Sequence, residues 1–283
     1  MDTFDLNTLK KVIKTKAQEY TPEEKSAIQR GRAFYTASSS VSVNYEILKN
    51  PDPGVELRAI HVDGDSLVVG MGITIADADV AMCLAYTFTK DSRQAIFDRE
   101  GKRFVKSSLK RLNDHSHLYF STRDLGWRGL ANRDFLVKGI WEIEKDGAAF
   151  LTYEDAAEQD LEKDFTANTD NVVASVQTAF MFEPLASIGS IAQTRITAVV
   201  RVDLKGTIPN VVMNSLAGKS LASISKLRSK LDRSADVDAG RRSGIMTVIK
   251  NAEKLNDDSC IHRIDSKEKR DKVREEQCKH VVK

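Results

Sequence analysis

Residues 195–214 read RITAVVRVDLKGTIPNVVMN. The stretch opens with strand-like alternation, meets Asp203, Gly206 and Pro209, and turns straight into a segment of helical period. From Pro209 to about Arg233 the residues Met213, Ala217, Ser220, Ile224, Leu227 and Leu231 fall on one side of a helix, with Leu216 and Leu221 beside them. Lys219, Lys226, Lys230 and Arg233 recur on the opposite side. Gly218 interrupts the helix at a cost of about 1 kcal/mol relative to alanine. An apolar strand that runs directly into a long amphipathic helix implies a sheet whose face that helix covers.

Working outward, the period of two dominates the middle of the chain. VSVNYEIL and GVELRAIHV flank the turn formers Pro51 to Gly54, Asp63-Gly64 marks a second tight turn, and Asp146-Gly147 a further hairpin. Strand patterns continue through RFVKSSLKRL, SHLYFST, DFLVKGIWEIE, AAFLTYEDA, VVASVQTAFMFEPL and IAQTRITAVVRV. Helical patterning occupies residues 77–99, with Val80, Leu84 and Phe88 on one side and Ile96 and Phe97 further on. It also marks the N-terminal segment around Leu6, Leu9, Val12 and Ile13. Thr21-Pro22-Glu23-Glu24 carries a capping-box signature, predicting a helix from there to about Tyr35 that the run TASSS ends. SADVDAGRRSG reads as a flexible joint after Arg233, IMTVIKNAEKL as a short helix, and the remainder as a mixed-charge tail. The order predicts an α+β fold: antiparallel strands that curl to hide their edges, with helices segregated to one side. Three segments follow: an N-terminal helical segment over 1–37, a sheet-bearing domain over 38–234, and a charged helical or disordered tail over 235–283.

Alternation in DFLVKGIWEIE puts Phe135, Val137, Gly139, Trp141 and Ile143 on one face. In VVASVQTAFMF one face carries Val172, Ala174, Val176, Thr178, Phe180 and Phe182. Such mixtures of very large and very small side chains suit either a solid core or the wall of a hollow.

Composition narrows the function classes. Of 283 residues 30% are charged, yet the formal net charge is only +2, so no global field favours nucleic acid. No apolar run is long enough for a bilayer span, and MDTFDLNTLKK has no export-signal character. Cys83, Cys260 and Cys278 are odd in number and widely spaced, which favours a reducing, cytoplasmic setting over a disulfide framework.

LANRDFLVKGIWEIEKDGAAFLTYE, residues 130–154, resembles the central strand pair of START domains, the lipid-transfer domains related to the steroidogenic acute regulatory protein. TRITAVVRVDLKGTIPNVVMN, residues 194–214, resembles that family's last strand and its entry to the C-terminal helix. The resemblance covers about residues 38–234. It implies a helix-grip fold, in which a curved antiparallel sheet wraps a long C-terminal helix and encloses a lipid-sized apolar tunnel. It further implies a lipid or other hydrophobic ligand, transient contact with a membrane surface from the cytoplasm, no cofactor, no metal, no nucleic acid and no catalysis. The implied walls are Tyr119, Phe135, Val137, Gly139, Trp141, Val176, Phe180, Arg195, Met213, Leu216, Ala217 and Ser220. The loop 183–193, with Ser187, Gly189 and Ser190, corresponds to the family's gate, and Asp203 to Pro209 sets the angle at which the helix leaves the sheet. Sterol-type members hold an acidic residue and an arginine in the cavity. The matching positions here are near Phe120 and Gly139 and carry no charge, which leaves a more apolar cavity with Arg195 or Tyr119 as candidate polar anchors.

Two rival readings use other residues. A cavity enzyme of the same superfamily, cyclase- or hydrolase-like, would draw on His61, His115, His117 and Asp134. His115 and His117, two apart on a strand, would present both rings to one face for a metal, but no third ligand stands at suitable spacing. Asp134 reads more simply as holding a turn or pairing with an arginine. Alternatively the pocket is vestigial and the N-terminal helices and charged tail carry a regulatory or scaffolding role. AGKS at 217–220 lacks the upstream glycine of a phosphate-binding loop, where Met213 stands, and Trp127 and Trp141 read as core or cavity wall.

Overall fold

The structure is a computed structural model that describes residues 19–40, 44–50, 52–61, 67–93, 95–96, 104–126, 129–156, 170–206, 208, 221 and 223–252. The chain divides into two compact units, Met1–Asp232 and Arg233–Lys283, each described by itself.

The first unit is built on one curved, unclosed sheet of ten strands. These are β1 (Tyr45–Leu48), β2 (Val55–Ile60), β3 (Val69–Ala76), β4 (Phe104–Arg111), β5 (Ser116–Arg123), β6 (Arg133–Ile143), β7 (Ala149–Asp155), β8 (Val172–Val173), β9 (Ser175–Ile188) and β10 (Ile191–Asp203). Their order is β1-β2-β3-β10-β9-β7-β6-β5-β4, with β8 pairing parallel to β6 and every other pair antiparallel. With the helices packed on it, the sheet makes the α+β helix-grip architecture expected from the sequence. The last two strands, β9 and β10, are the longest and lie in the middle, which draws β3 and β7 to either side of one hairpin.

Three helices cover the two faces: α1 (Pro22–Ser39), α2 (Val80–Phe88) and α3 (residues 221–230). Val80, Leu84 and Phe88 of α2 and Leu221, Ile224 and Leu227 of α3 pack into one apolar cluster with the inward residues of the strands. The other face places Val69, Met71, Ile140, Phe150 and Val199 beneath Ala27 and Ile28 of α1. Because both faces are covered, β5, β6 and β7 are buried along most of their length although they are antiparallel. Two glycines set how near the helices come. A Cβ on Gly31 of α1 would lie 2.4 Å from Oγ1 of Thr152, and one on Gly72 of β3 would lie 2.2 Å from Cδ1 of Ile224.

The capping box at the start of α1 is present. The Thr21 hydroxyl accepts from the Glu24 amide at 3.2 Å, and Glu24 Oε2 accepts from the Thr21 amide at 3.0 Å. The helix passes Tyr35 and ends at Ser39, because Ser38 and Ser39 donate to the carbonyls of Phe34 and Tyr35 instead of breaking the helix. The helical patterning of 77–99 gives a helix over Val80–Phe88, capped by Asp79, and helical residues again at 93 and 95–96, where the Ser92 hydroxyl accepts from the Ala95 amide. The segment 183–193 is not a loop: β9 runs to Ile188, β10 starts at Ile191, and Gly189 with φ +63° makes the turn with Ser190. Pro184 is tolerated in that strand opposite Thr194. In the second unit the expected joint SADVDAGRRSG is helical, part of α4 over residues 234–252. The predicted helix around residues 6–13, the Asp63-Gly64 turn, Trp127, Cys260 and Cys278 lie outside the described residues.

Glu24 does more than cap its own helix. It is buried, and its carboxylate also accepts from Asn113 Nδ2 at 2.8 Å, Ser116 Oγ at 2.9 Å and His115 Nε2 at 3.2 Å, pinning α1 to the β4–β5 turn. Burial alone would raise its pKa. The bonds from Thr21, Asn113, His115 and Ser116 outweigh burial and hold it down at about 2, from an ordinary value of 4.5. A carboxyl with a depressed folded pKa contributes stability that is fully present above pH 4.5 and lost as pH falls through about 2. Glu24→Gln is therefore expected to cost about 1–3 kcal/mol in urea unfolding at neutral pH. The gap to wild type should close as the experiment is repeated between pH 4.5 and about pH 2.

Candidate functional site

The inner face is the one shared with α2 and α3, and strand parity decides which residues reach it. Odd positions of β5 and β6 and even positions of β9 and β10 do so, as the cluster membership of Tyr119, Val137, Phe180 and Ala198 demonstrates. Of the wall residues expected from the sequence, Tyr119, Val137 and Phe180 are buried in the cluster, and Trp141 and Val176 pack against its border. Phe135 belongs to an adjoining group with Leu125, Ala174 and Leu204. Arg195 is a correction. It sits on the outer face of β10, half exposed, with Glu183 at 4.0 Å, because its neighbour Ile196 takes the inward position. Pro209, Met213, Leu216, Ala217 and Ser220 lie outside the described residues. Ser187, Gly189 and Ser190 are exposed at the tip of the β9–β10 hairpin.

Gly139 faces inward between two rings. Its register partners are His117 on β5 and Tyr153 on β7. A Cβ there would stand 2.4 Å from Tyr153 Cε1 and 3.0 Å from His117 Nε2, so the absent side chain is the space those rings occupy. Phe88 of α2 closes over the imidazole, with ring centroids 4.2 Å apart, and the Tyr153 ring lies 5.8 Å from it. The Tyr153 hydroxyl reaches the Thr87 carbonyl oxygen at 3.4 Å. The other position matched to a charged cavity residue, Phe120, points away into an outer cluster with Leu118 and Leu136.

Two polar atoms of this face have no hydrogen-bond partner among the described residues, Nε2 of His117 and Oγ of Ser121, both in buried side chains of β5. An unpaired buried polar atom costs about 1–3 kcal/mol, so such atoms invite a functional explanation. Burial, aided by the charges of Lys90 and Arg111, pushes the His117 pKa down to about 3, and the imidazole is neutral at any physiological pH. Ser121 was missed by sequence reasoning, although it alternates with His117 and Tyr119 and period two alone would have found it. Phe88 and Tyr153 left no signal distinguishing them from ordinary core.

The residues proposed for chemistry are dispersed. His115 precedes β5, and its ring lies 4.3 Å from Tyr20 and bonds Glu24, whereas His117 lies beneath α2. Among the described residues no group of histidine, cysteine and carboxylate side chains could hold a metal. Glu24 and His115 are a carboxylate–imidazole pair, but the carboxylate already accepts from three other groups and serves as a cap. Asp134 is buried and accepts from Thr122 Oγ1 at 2.6 Å and Asn171 Nδ2 at 3.0 Å; among the described residues no arginine pairs with it.

The two sequence motifs meet through Arg133. Its buried guanidinium donates from Nε to the Leu204 carbonyl at 2.7 Å, from Nη2 to Lys205 at 3.4 Å, and from Nη1 to Ala131. Beyond β10, Lys205 (φ 52°) and Gly206 (φ 73°) both adopt left-handed backbone. The Asp203 carboxylate accepts from the Lys205 amide at 2.9 Å and pairs with its ammonium at 2.6 Å. The segment leading toward the C-terminal helix is therefore fixed by the RDF strand.

No family model matches the sequence, and no curated protein sequence matches it. Solved structures do. The lipid transfer and protein localization domain of human StarD13 (DLC2) superposes with a TM-score of 0.52 at 17% identity, covering 76% of this chain and all of that one. Human StAR-related lipid transfer protein 5 gives 0.57 at 13% identity, over 74% of this chain and 97% of that one. A STAR-related lipid transfer protein fragment from Xanthomonas axonopodis gives 0.54 at 16% identity, over 66% and 98%. At these identities the likeness establishes a START-like fold.

Arg133→Met would leave the Leu204 and Lys205 carbonyls without their donor. It is expected to cost about 2–4 kcal/mol in urea unfolding. Amide exchange should accelerate first at 203–206, before the inner strands are affected.

Proposed function

We propose that this chain binds a lipid or other hydrophobic ligand against its inner face, for intracellular transfer or sensing, and performs no chemistry on it. The observation that carries the reading is the pair of unpartnered polar atoms, His117 Nε2 and Ser121 Oγ, set in an otherwise apolar wall between the sheet and its helices. A bound molecule with one or two hydrogen-bonding groups on a hydrocarbon body supplies what those atoms lack. The START-like fold supports the reading, since the similar solved structures are lipid-transfer proteins by title.

The physics requires no catalyst. Each methylene that meets water as a lipid leaves a bilayer costs about 0.8 kcal/mol, and a wall that covers those carbons during departure removes most of that barrier. The wall comprises Tyr119, Phe135, Val137, Gly139, Trp141, Val176 and Phe180. Helix α3 and the hairpin 183–193 gate it. The exposed lysines Lys226 and Lys230 bring the gate to anionic headgroups on the cytoplasmic side of a membrane, each contributing about 1 kcal/mol when close to the surface.

Delipidated protein is expected to extract labelled lipid from vesicles. Failure across phospholipids, sterols and fatty acids would overturn the proposal. His117→Phe keeps an aromatic ring and deletes the unpaired nitrogen. It is expected to raise the stability of ligand-free protein by about 1 kcal/mol while weakening ligand binding by about three- to tenfold. Calorimetric melting and a fluorescent-lipid titration read the two effects separately. Because the imidazole is neutral down to about pH 3, wild-type affinity should stay flat from about pH 5 to pH 8.

A further inference from the structure

The second unit presents a feature that the inner face does not explain. Every residue of α4 from Asp238 to Ala252 is exposed, including four large aliphatic side chains: Ile245 at 60%, Met246 at 53%, Val248 at 68% and Ile249 at 51%. At 100° per residue, Val248, Ala252, Ile245 and Ile249 share one side of the helix with Met246 at its margin, and Gly240, Ser243 and Thr247 lie opposite. With Gly240 and Gly244 inside it this helix gains little from propensity, and its apolar side calls for a covering surface.

Charge says which surface. Asp236 and Asp238 stand in the first turn, where the helix dipole favours acids, and Arg233 pairs with Asp236 at 2.9 Å. From Ala239 to Ala252 there is no acidic residue and there are three cations, Arg241, Arg242 and Lys250. The two arginines lie one turn before Ile245 and Met246, and Lys250 lies one turn after Met246, so cations stand at both ends of the patch. Long basic side chains in that position can bury their stems beside the apolar patch while their charges stay at headgroup level. A parallel second copy of the same helix would instead bring Arg241 and Arg242 against their own like charges.

We propose that α4 is a membrane-docking element, lying in the interface of an anionic bilayer on Ile245, Met246, Val248 and Ile249 with Arg241, Arg242 and Lys250 against lipid phosphates. It is independent of whether the inner face holds a ligand. The test is sedimentation of the full chain with phosphatidylcholine vesicles, with and without phosphatidylserine, alongside size-exclusion chromatography. Wild type should bind the phosphatidylserine vesicles and release with added salt. Ile245→Glu combined with Ile249→Glu should lower binding by about tenfold or more. Replacing Arg241, Arg242 and Lys250 by glutamine should weaken the preference for phosphatidylserine while leaving lipid extraction by the first unit measurable. All five positions are exposed, so none of the changes should unfold the chain. The proposal fails if wild type ignores both vesicles or if the double glutamate variant binds as wild type does. It also fails if the variants change oligomeric state while vesicle binding is unaltered, which would make the patch a self-association surface.

Discussion

A single buried guanidinium joins the two halves of the helix-grip. Arg133 begins the strand at the centre of the β5–β6–β7 group, and its donors end on the carbonyls of Leu204 and Lys205, where the last strand stops. An arginine that meets main-chain oxygens fixes backbone position, whereas a carboxylate partner would fix only a side chain. The left-handed pair Lys205 and Gly206 follows at once, so the direction in which the chain leaves the sheet is set by contacts that span more than seventy positions of sequence. Everything that the C-terminal helix does on the inner face inherits that direction.

The sheet itself works as a partition. Alternation along β3, β6, β9 and β10 sends one set of side chains to α1 and the other to α2 and α3, and each set forms its own apolar cluster. The α1 side is held by polar anchors at its rim, with Glu24 at the β4–β5 turn and Arg32 paired to both Glu142 and Glu144. On the inner side the Thr194 hydroxyl donates to the Ala78 carbonyl and Gln193 Nε2 to the Asp77 carboxylate, which hold the start of α2 against β10. Two polar groups left unpaired among the described residues, His117 Nε2 and Ser121 Oγ, are on the inner side of β5.

Much of this was legible beforehand, and for identifiable reasons. The capping box of α1, the turns at Asp52 to Gly54 and Asp146-Gly147, and the face assignments of β6 and β9 all rest on local chemistry or on a period of two. Where local signals competed with tertiary ones, the sequence misled. Serines after Tyr35 looked like a stop but bonded back along the helix, and Ser187, Gly189 and Ser190 looked like a loop but fit a long hairpin. Arg195 was placed on the wrong face because its register was not visible; Ile196 claims the inward position. At the site, Tyr119, Val137 and Phe180 were accessible from parity, whereas the nesting of His117 and Tyr153 over Gly139 depends on three strands meeting and has no one-dimensional trace.

An open sheet has two ends, and these differ. One is β1, only four residues long, whose exposed Tyr45 is roofed by the Arg58 guanidinium. The other is β4, which carries Lys106, Lys110 and Arg111 outward along eight residues. A foreign strand approaching the first finds too few main-chain groups to bind, and one approaching the second meets concentrated positive charge. The molecule can thus leave its barrel unfinished, as a grip around a helix demands, without recruiting neighbours into fibrils in a crowded cell.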